Sequence, residues 1–285
     1  MATRDYTYYF THKEVAQRSL EWHRQRFDYV LTGSILGTVL LCVKYASRDK
    51  PRDWRGTDAE WNRQVLYETY IGKRLAAKPQ DTGNLFNDHM RRGTLLERAV
   101  AWIMEQITGF PVMELPSIPL ADGLMSISPD GLDANGFLYE IKCPMKVTPG
   151  RCKVHTDVPG ERCQDCARAA CGIYWHQAQA ELAAVPDAHG LFFVQLRTEL
   201  FVHDVLGLRD GIDKDSGVVA DFYKAPQIPF GMLARNLVEI VYVEREAGWM
   251  DMVRGDLVKF KDSVIAGRKE RGLTFEKYAA MNGLE

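Results

Sequence analysis

The sequence predicts an α/β fold in which a central mixed β-sheet is flanked by helices. Three observations lead there. Runs rich in β-branched, aromatic and alternating residues recur at 124–128, 137–143, 190–196, 199–206 and 238–245. Around them, apolar residues repeat at helical spacing, as in Leu95, Leu96, Ala99, Val100, Ile103 and Ile107, and again in Met250, Val253, Leu257, Phe260 and Val264. With 285 residues, 46% of them hydrophobic and 26% charged, the chain can bury one sizeable core. A single domain over 1–285 is therefore expected, with an insertion at 145–172 and a peripheral tail at 268–285.

A net charge of −2 gives no global signature of nucleic-acid binding, so any such contact must come from a local basic groove. Six cysteines suit a reducing compartment better than a disulfide framework. The N-terminus has no signal-peptide pattern, and the apolar run 35–43 is too short to span a bilayer, so no membrane association and an intracellular location are expected.

In chain order, 15–26 reads as a helix with Val15, Leu20 and Trp22, then Phe27, as apolar positions among charges. After Leu31-Thr32-Gly33-Ser34, residues 34–46 read as a buried helix. Residues 47–61, with Lys50, Pro51, Arg52 and Arg55, suggest an exposed connection leading to a helix through Trp61 and Tyr70. A helix over 90–107 carries the first apolar stripe. Next comes an expected β-hairpin, with strands at 124–128 and 137–143 joined around the Asn-Gly turn of Asp133-Ala134-Asn135-Gly136 and ended by Pro144. A helix over 174–185 precedes paired strands at 190–196 and 199–206. Residues 209–236 form a variable excursion rich in Gly, Asp and Pro, and strand 238–245 leads to the closing amphipathic helix.

The hairpin carries the chemistry. Side chains on a strand alternate faces, so Glu140 and Lys142 share one side while Ile141 points to the core. If Asp130 closes the first strand on that side, two carboxylates meet one ammonium group. Such a trio can hold a hard divalent cation and a phosphate, because magnesium takes one or two carboxylates and keeps positions for water and phosphate oxygens. The cation acidifies water and stabilises charge on phosphorus. Lys142 then positions or helps deprotonate the water, or neutralises the phosphate. The bland alternative is ordinary turn chemistry at Ser-Pro-Asp-Gly and a solvated strand face.

Cys152-x2-His155 and Cys163-x2-Cys166 form two ligand pairs with two-residue spacers, a pattern that matches structural zinc. An iron–sulfur cluster on Cys152, Cys163, Cys166 and Cys171, or an insertion loop with unligated thiols, are the alternatives.

Asp130, Glu140 and Lys142 fit the PD-(D/E)xK nuclease signature. The fuller context, Ser128-Pro129-Asp130-Gly131 followed by Glu140-Ile141-Lys142-Cys143-Pro144, resembles the branch that contains lambda exonuclease and the YqaJ-type viral recombinases. Residues 17–26 with Leu31-Thr32-Gly33-Ser34 are similar to that family's opening motif. Gly93-x3-Glu97 resembles its Gly-x-x-x-Glu helix, and Tyr174-x2-Gln177-x-Gln179 its Tyr-x-x-Gln-x-Gln helix. The likeness covers most of 17–266, with gaps near 47–85, 145–172 and 207–236.

The resemblance implies a restriction-endonuclease-like core and a catalytic set of Glu97, Asp130, Glu140, Lys142 and Gln177. It implies one or two Mg2+ or Mn2+ ions held by Asp130, Glu140, the Ile141 backbone carbonyl and Glu97. Arg26, Ser34 and Ser128 would grip the 5′ phosphate of a DNA end, where arginine's planar fork suits phosphate oxygens. The expected activity is 5′-to-3′ exonucleolytic hydrolysis of linear double-stranded DNA in phage-type recombination, in the cytoplasm of a bacterial host. A structure-specific or single-strand endonuclease on the same core, and a non-catalytic DNA-binding module using the Cys/His insertion, are the alternatives. A single-strand annealing recombinase as partner and a ring-shaped homotrimer are implied by the same relatives.

Overall fold

The computed structural model describes residues 19–46, 88–120, 122–144, 146–147, 163–208, 216–229, 231–282 and 284. Residues 15–18 of the expected first helix, and the connection and helix expected within 47–85, lie outside them. Ser19 caps helix α1 (Leu20–Tyr29), its hydroxyl accepting the Trp22 N–H at 3.2 Å. Val30 ends α1 at φ 66, the one described non-glycine residue with positive φ, and turns the chain into strand β1 (Leu31–Thr32). Helix α2 (Gly33–Ala46) follows, with Ile35, Leu36, Val39 and Leu40 buried as its apolar sequence demands. Helix α3 (Asp88–Thr108) buries Leu96, Ala99, Val100 and Ile103 along the expected stripe.

The hairpin differs from expectation. Strands β2 (Ile118–Pro119) and β3 (Met125–Ile127) join β1 in a small sheet of order β1-β3-β2, with β3 parallel to β1. Segment 124–128 therefore does not pair with 137–143. Pro129 interrupts the run, and the Asn-Gly turn instead joins the short β4 (Gly131–Leu132) to β5 (Phe137–Lys142). Two Asp133 oxygens hold that turn. Oδ1 accepts the N–H groups of Asn135 and Phe137, and Oδ2 accepts the Tyr139 hydroxyl at 2.8 Å.

The larger sheet is mixed, in the order β4-β5-β6-β7, with β5 and β6 parallel. Strand β6 (Gly190–Leu196) is flanked by β5 and by antiparallel β7 (Val238–Val243). Both sides of β6 are thus taken, and the segment expected as a strand at 199–206 cannot pair with 190–196. That segment is helical instead, Thr198–Leu200 continuing into a π-helical turn at Phe201–Val205. Phe201, Val202 and Leu206, spaced to share a helix face, are buried there.

One face of the larger sheet presents Tyr139, Ile141 and Val194 to α3 and to α6 (Ser216–Lys224), which lies in the expected variable excursion. The other presents Leu138, Leu191 and Phe193 to α4 (Gln164–Cys171) and α5 (Trp175–Ala184). A third cluster packs the small sheet, α2 and α5 against α7 (Trp249–Glu270), where Val253, Leu257, Phe260 and Val264 are buried as the sequence predicts. Residues 268–285, expected as a peripheral tail, include helix α8 (Phe275–Asn282), which packs on α1. Phe275 and Tyr278 meet the Phe27 ring, and the Arg268 guanidinium lies 3.8 Å from its centroid. No described helix is long and apolar enough to cross a membrane.

Candidate active site

The pleat of β5 sends Tyr139 and Ile141 toward α3, and Glu140 and Lys142 toward α5. Asp130 reaches the same strand from the turn after β3. Its backbone N–H donates to Tyr139 O at 3.1 Å, and its Oδ2 accepts the Ile141 N–H at 2.7 Å. The face carrying Glu140 is not solvated, because α5 covers it. Glu140 is 0% exposed, and its Oε1 forms an ion pair with Lys142 Nζ.

Helix α5 brings a further carboxylate. Glu181 is also 0% exposed and faces Glu140, while its Oε1 accepts the Gln177 Nε2–H at 3.0 Å. Glu140 Oε2, Glu181 Oε2 and Gln177 Oε1 are buried; with both acids ionised none of the three has a donor among the described residues, and a proton on one acid lets Glu140 and Glu181 share a hydrogen bond. Burial raises the Asp130 carboxyl well above the usual carboxylate range, Glu140 raises it further, and Lys142 opposes them. Burial and then Glu140 raise Glu181 in the same way. For Lys142 burial works against the charge, but Glu140 and Asp130 outweigh it and the ammonium is held protonated. Glu97, partly buried on α3, adds negative charge to the field at Asp130. The Cys171 thiol is pushed up by burial and by Glu140, so it is neutral beside these acids.

A second cluster lies next to the first. Strands β1 and β3 run parallel with Thr32 opposite Ser126, so Ser34 and Ser128 leave at the same end, two residues beyond that pair. Ser128 Oγ accepts the Trp22 Nε1–H at 3.2 Å, and the Arg26 guanidinium sits 4.3 Å over the Trp22 ring. Ser34 is exposed at the start of α2. Gly33 joins the clusters, because a Cβ there would lie 3.2 Å from Gln177 Cγ.

The structure therefore brings Asp130, Glu140, Lys142 and Gln177 together, with Glu97 at the margin and Arg26, Ser34 and Ser128 alongside. Cys152 and His155 lie outside the described residues. Cys163 immediately precedes α4, and Cys166 is buried in its first turn. Sequence reasoning missed Glu181. The available signal was its spacing of four from Gln177, which places both on one helix face.

Among the described residues, no three His, Cys, Asp or Glu groups close a metal cage by themselves. Magnesium does not need one, since it is bound through one or two carboxylates and keeps much of its water. The donor set fits such an ion. Hard carboxylate oxygens, buried and lacking a donor when ionised, are the acceptors that a cation and its water satisfy.

No family model matches the chain, and no curated protein matches it. Among solved structures it is similar to an alkaline exonuclease, LHK-Exo, from Laribacter hongkongensis, at 20% identity over 89% of this chain and 99% of that one, with a TM-score of 0.49. The complex of LHK-Exo with dAMP gives 19% identity over 89% and 99%, at 0.47. A phage related exonuclease from Haemophilus somnus 129PT gives 12% identity over 82% and 94%, at 0.49.

Proposed function

We propose that this chain is a metal-dependent deoxyribonuclease that hydrolyses linear double-stranded DNA from a 5′ end. The observation that carries the reading is the convergence of Asp130, Glu140 and Lys142 on the strand face that α5 covers, where carboxylate oxygens are buried. Asp130 and Glu140, with the Ile141 carbonyl and Glu97, would hold one or two Mg2+ or Mn2+ ions. A bound cation would acidify water and stabilise charge on the phosphorus.

The chain's own residues do the rest. Lys142, paired with Glu140 beside Asp130, is placed to donate to the scissile phosphate or to position the attacking water. Gln177 offers an unpartnered carbonyl oxygen, able to accept from water and orient it. Arg26, Ser34 and Ser128 hold the terminal 5′ phosphate, with the N-terminus of α2 adding its partial positive charge. That grip spaces the end from the acidic cluster and sets the bond that is cut. Water adds to phosphorus, the P–O3′ bond breaks, and the 3′ oxygen leaves with a proton.

Relaxed covalently closed circular duplex tests the dependence on an end. The circle is expected to survive with Mg2+ while the same DNA, linearised, is degraded to mononucleotides. Nicking or cutting of the circle at a comparable rate would replace this reading with an endonuclease on the same core.

A further inference from the structure

Glu181 has no role in the motif resemblance, yet it is the most enclosed acid beside the candidate site. Its Oε1 is fixed by Gln177 Nε2, and its Oε2 is buried. It faces Glu140 closely enough for the two carboxyl groups to share a hydrogen bond when one is protonated, and with both ionised neither Oε2 has a donor among the described residues. A side chain needed only to receive Gln177's amide could be a glutamine. Placing a carboxylate there adds negative charge to a space in which Asp130 and Glu140 already share one lysine, and such charge is costly away from water unless a cation offsets it.

We propose that Glu181 is a further carboxylate of the cation site, holding the ion's hydration shell from the α5 side opposite Glu140. A role through water fits the geometry, since Glu181 approaches Glu140 from α5 and no three acids among the described residues close a cage directly. Octahedral magnesium keeps several waters that need oriented acceptors, and groups one shell out from an ion tune its affinity strongly. Glu181 also ties that shell to Gln177, so cation binding and the orientation of Gln177's carbonyl are coupled through one side chain. The inference rests on the nuclease reading above.

The test is Mn2+ binding, measured without DNA by titration calorimetry and by the spin-resonance signal of the free ion. Wild type, Glu181→Gln and Glu140→Gln are compared, each checked for folding by circular dichroism. Glutamine at 181 keeps an oxygen for Gln177 and removes the charge together with the second acceptor oxygen, the two features that the proposed role uses. Glu181→Gln is expected to weaken Mn2+ binding about tenfold or more, as outer-shell partners do. A loss smaller than about threefold, with wild type binding and Glu140→Gln defective, would overturn the role of Glu181 and leave the nuclease reading standing. Failure of folded wild type to bind Mn2+ at all would overturn both.

Discussion

Asp130 and Glu181 each bind a proton more readily in the folded chain than in the unfolded one, because burial and the nearby Glu140 disfavour their charge. Linkage then fixes the sign. Their contribution to stability is fully present below their unfolded values and is lost as pH rises through the raised folded values. The metal-free protein should therefore lose melting temperature as pH rises from mildly acidic toward alkaline. Asp130→Asn and Glu181→Gln should each flatten that slope. Because a cation must replace those protons, Mn2+ affinity should tighten over the same rise in pH. Thermal melts and Mn2+ titrations between about pH 5 and 9 check both, and slopes identical in wild type and the two variants would contradict the electrostatic account.

Helix α5 acts as a bracket for the site, and its attachments explain why Gln177 and Glu181 are fixed in place. Gln179 bridges to the segment after β7, donating to Glu244 O at 2.9 Å and accepting from Glu246 N at 2.8 Å. The Arg245 guanidinium donates to the carbonyls of Leu182, Val185, Pro186 and Ala188, satisfying acceptors at the C-terminal end of the helix. Trp249 Nε1 donates to His176 Nδ1 at 3.1 Å. At the other end, α2 passes so close that a Cβ on Gly37 would lie 1.8 Å from the Ile173 carbonyl oxygen. Gly37→Ala should therefore destabilise the protein by about 1–3 kcal/mol or more and lower activity by displacing the start of α5. Gly93, on α3 with nothing within 4 Å of its would-be Cβ, provides the opposite sign. Gly93→Ala should stabilise by about 0.5–1 kcal/mol. Denaturant unfolding reads both, and equal midpoints would show that the close approach at Gly37 is not tight.

Across the whole molecule, three apolar clusters tie two sheets and their helices together, and the acids sit where α5 crosses the larger sheet. Local pattern made much of this legible. The period of two put Glu140 and Lys142 on one face, the Asn-Gly turn marked β5, and the stripes of α3 and α7 fell where spacing put them. Long-range pairing was not legible. β1 is two residues long and finds β3 more than ninety positions away, so no sequence window contains both partners. The helical 199–206 carries strand-forming residues, and its own sequence does not show that β5 and β7 already flank β6. Glu181 reads as an ordinary helix former, because its burial comes from β5 rather than from its own helix. The docking of α8 depends on Phe27, which lies outside the local pattern of residues 268–285.

Asp130, Glu140 and Lys142 are proposed to cut DNA beside a site for its 5′ phosphate at Arg26, Ser34 and Ser128. Mononucleotide release from linear duplex DNA bearing a 5′ phosphate or a 5′ hydroxyl, with Mg2+ or with chelator, tests that proposal most directly in wild type and Lys142→Ala. The account predicts Mg2+-dependent release by wild type that is faster from the phosphorylated end. It also predicts a loss of at least about a hundredfold in Lys142→Ala with DNA retention largely kept. Unaltered turnover in Lys142→Ala, or no digestion of either substrate by folded wild type with Mg2+, would contradict it.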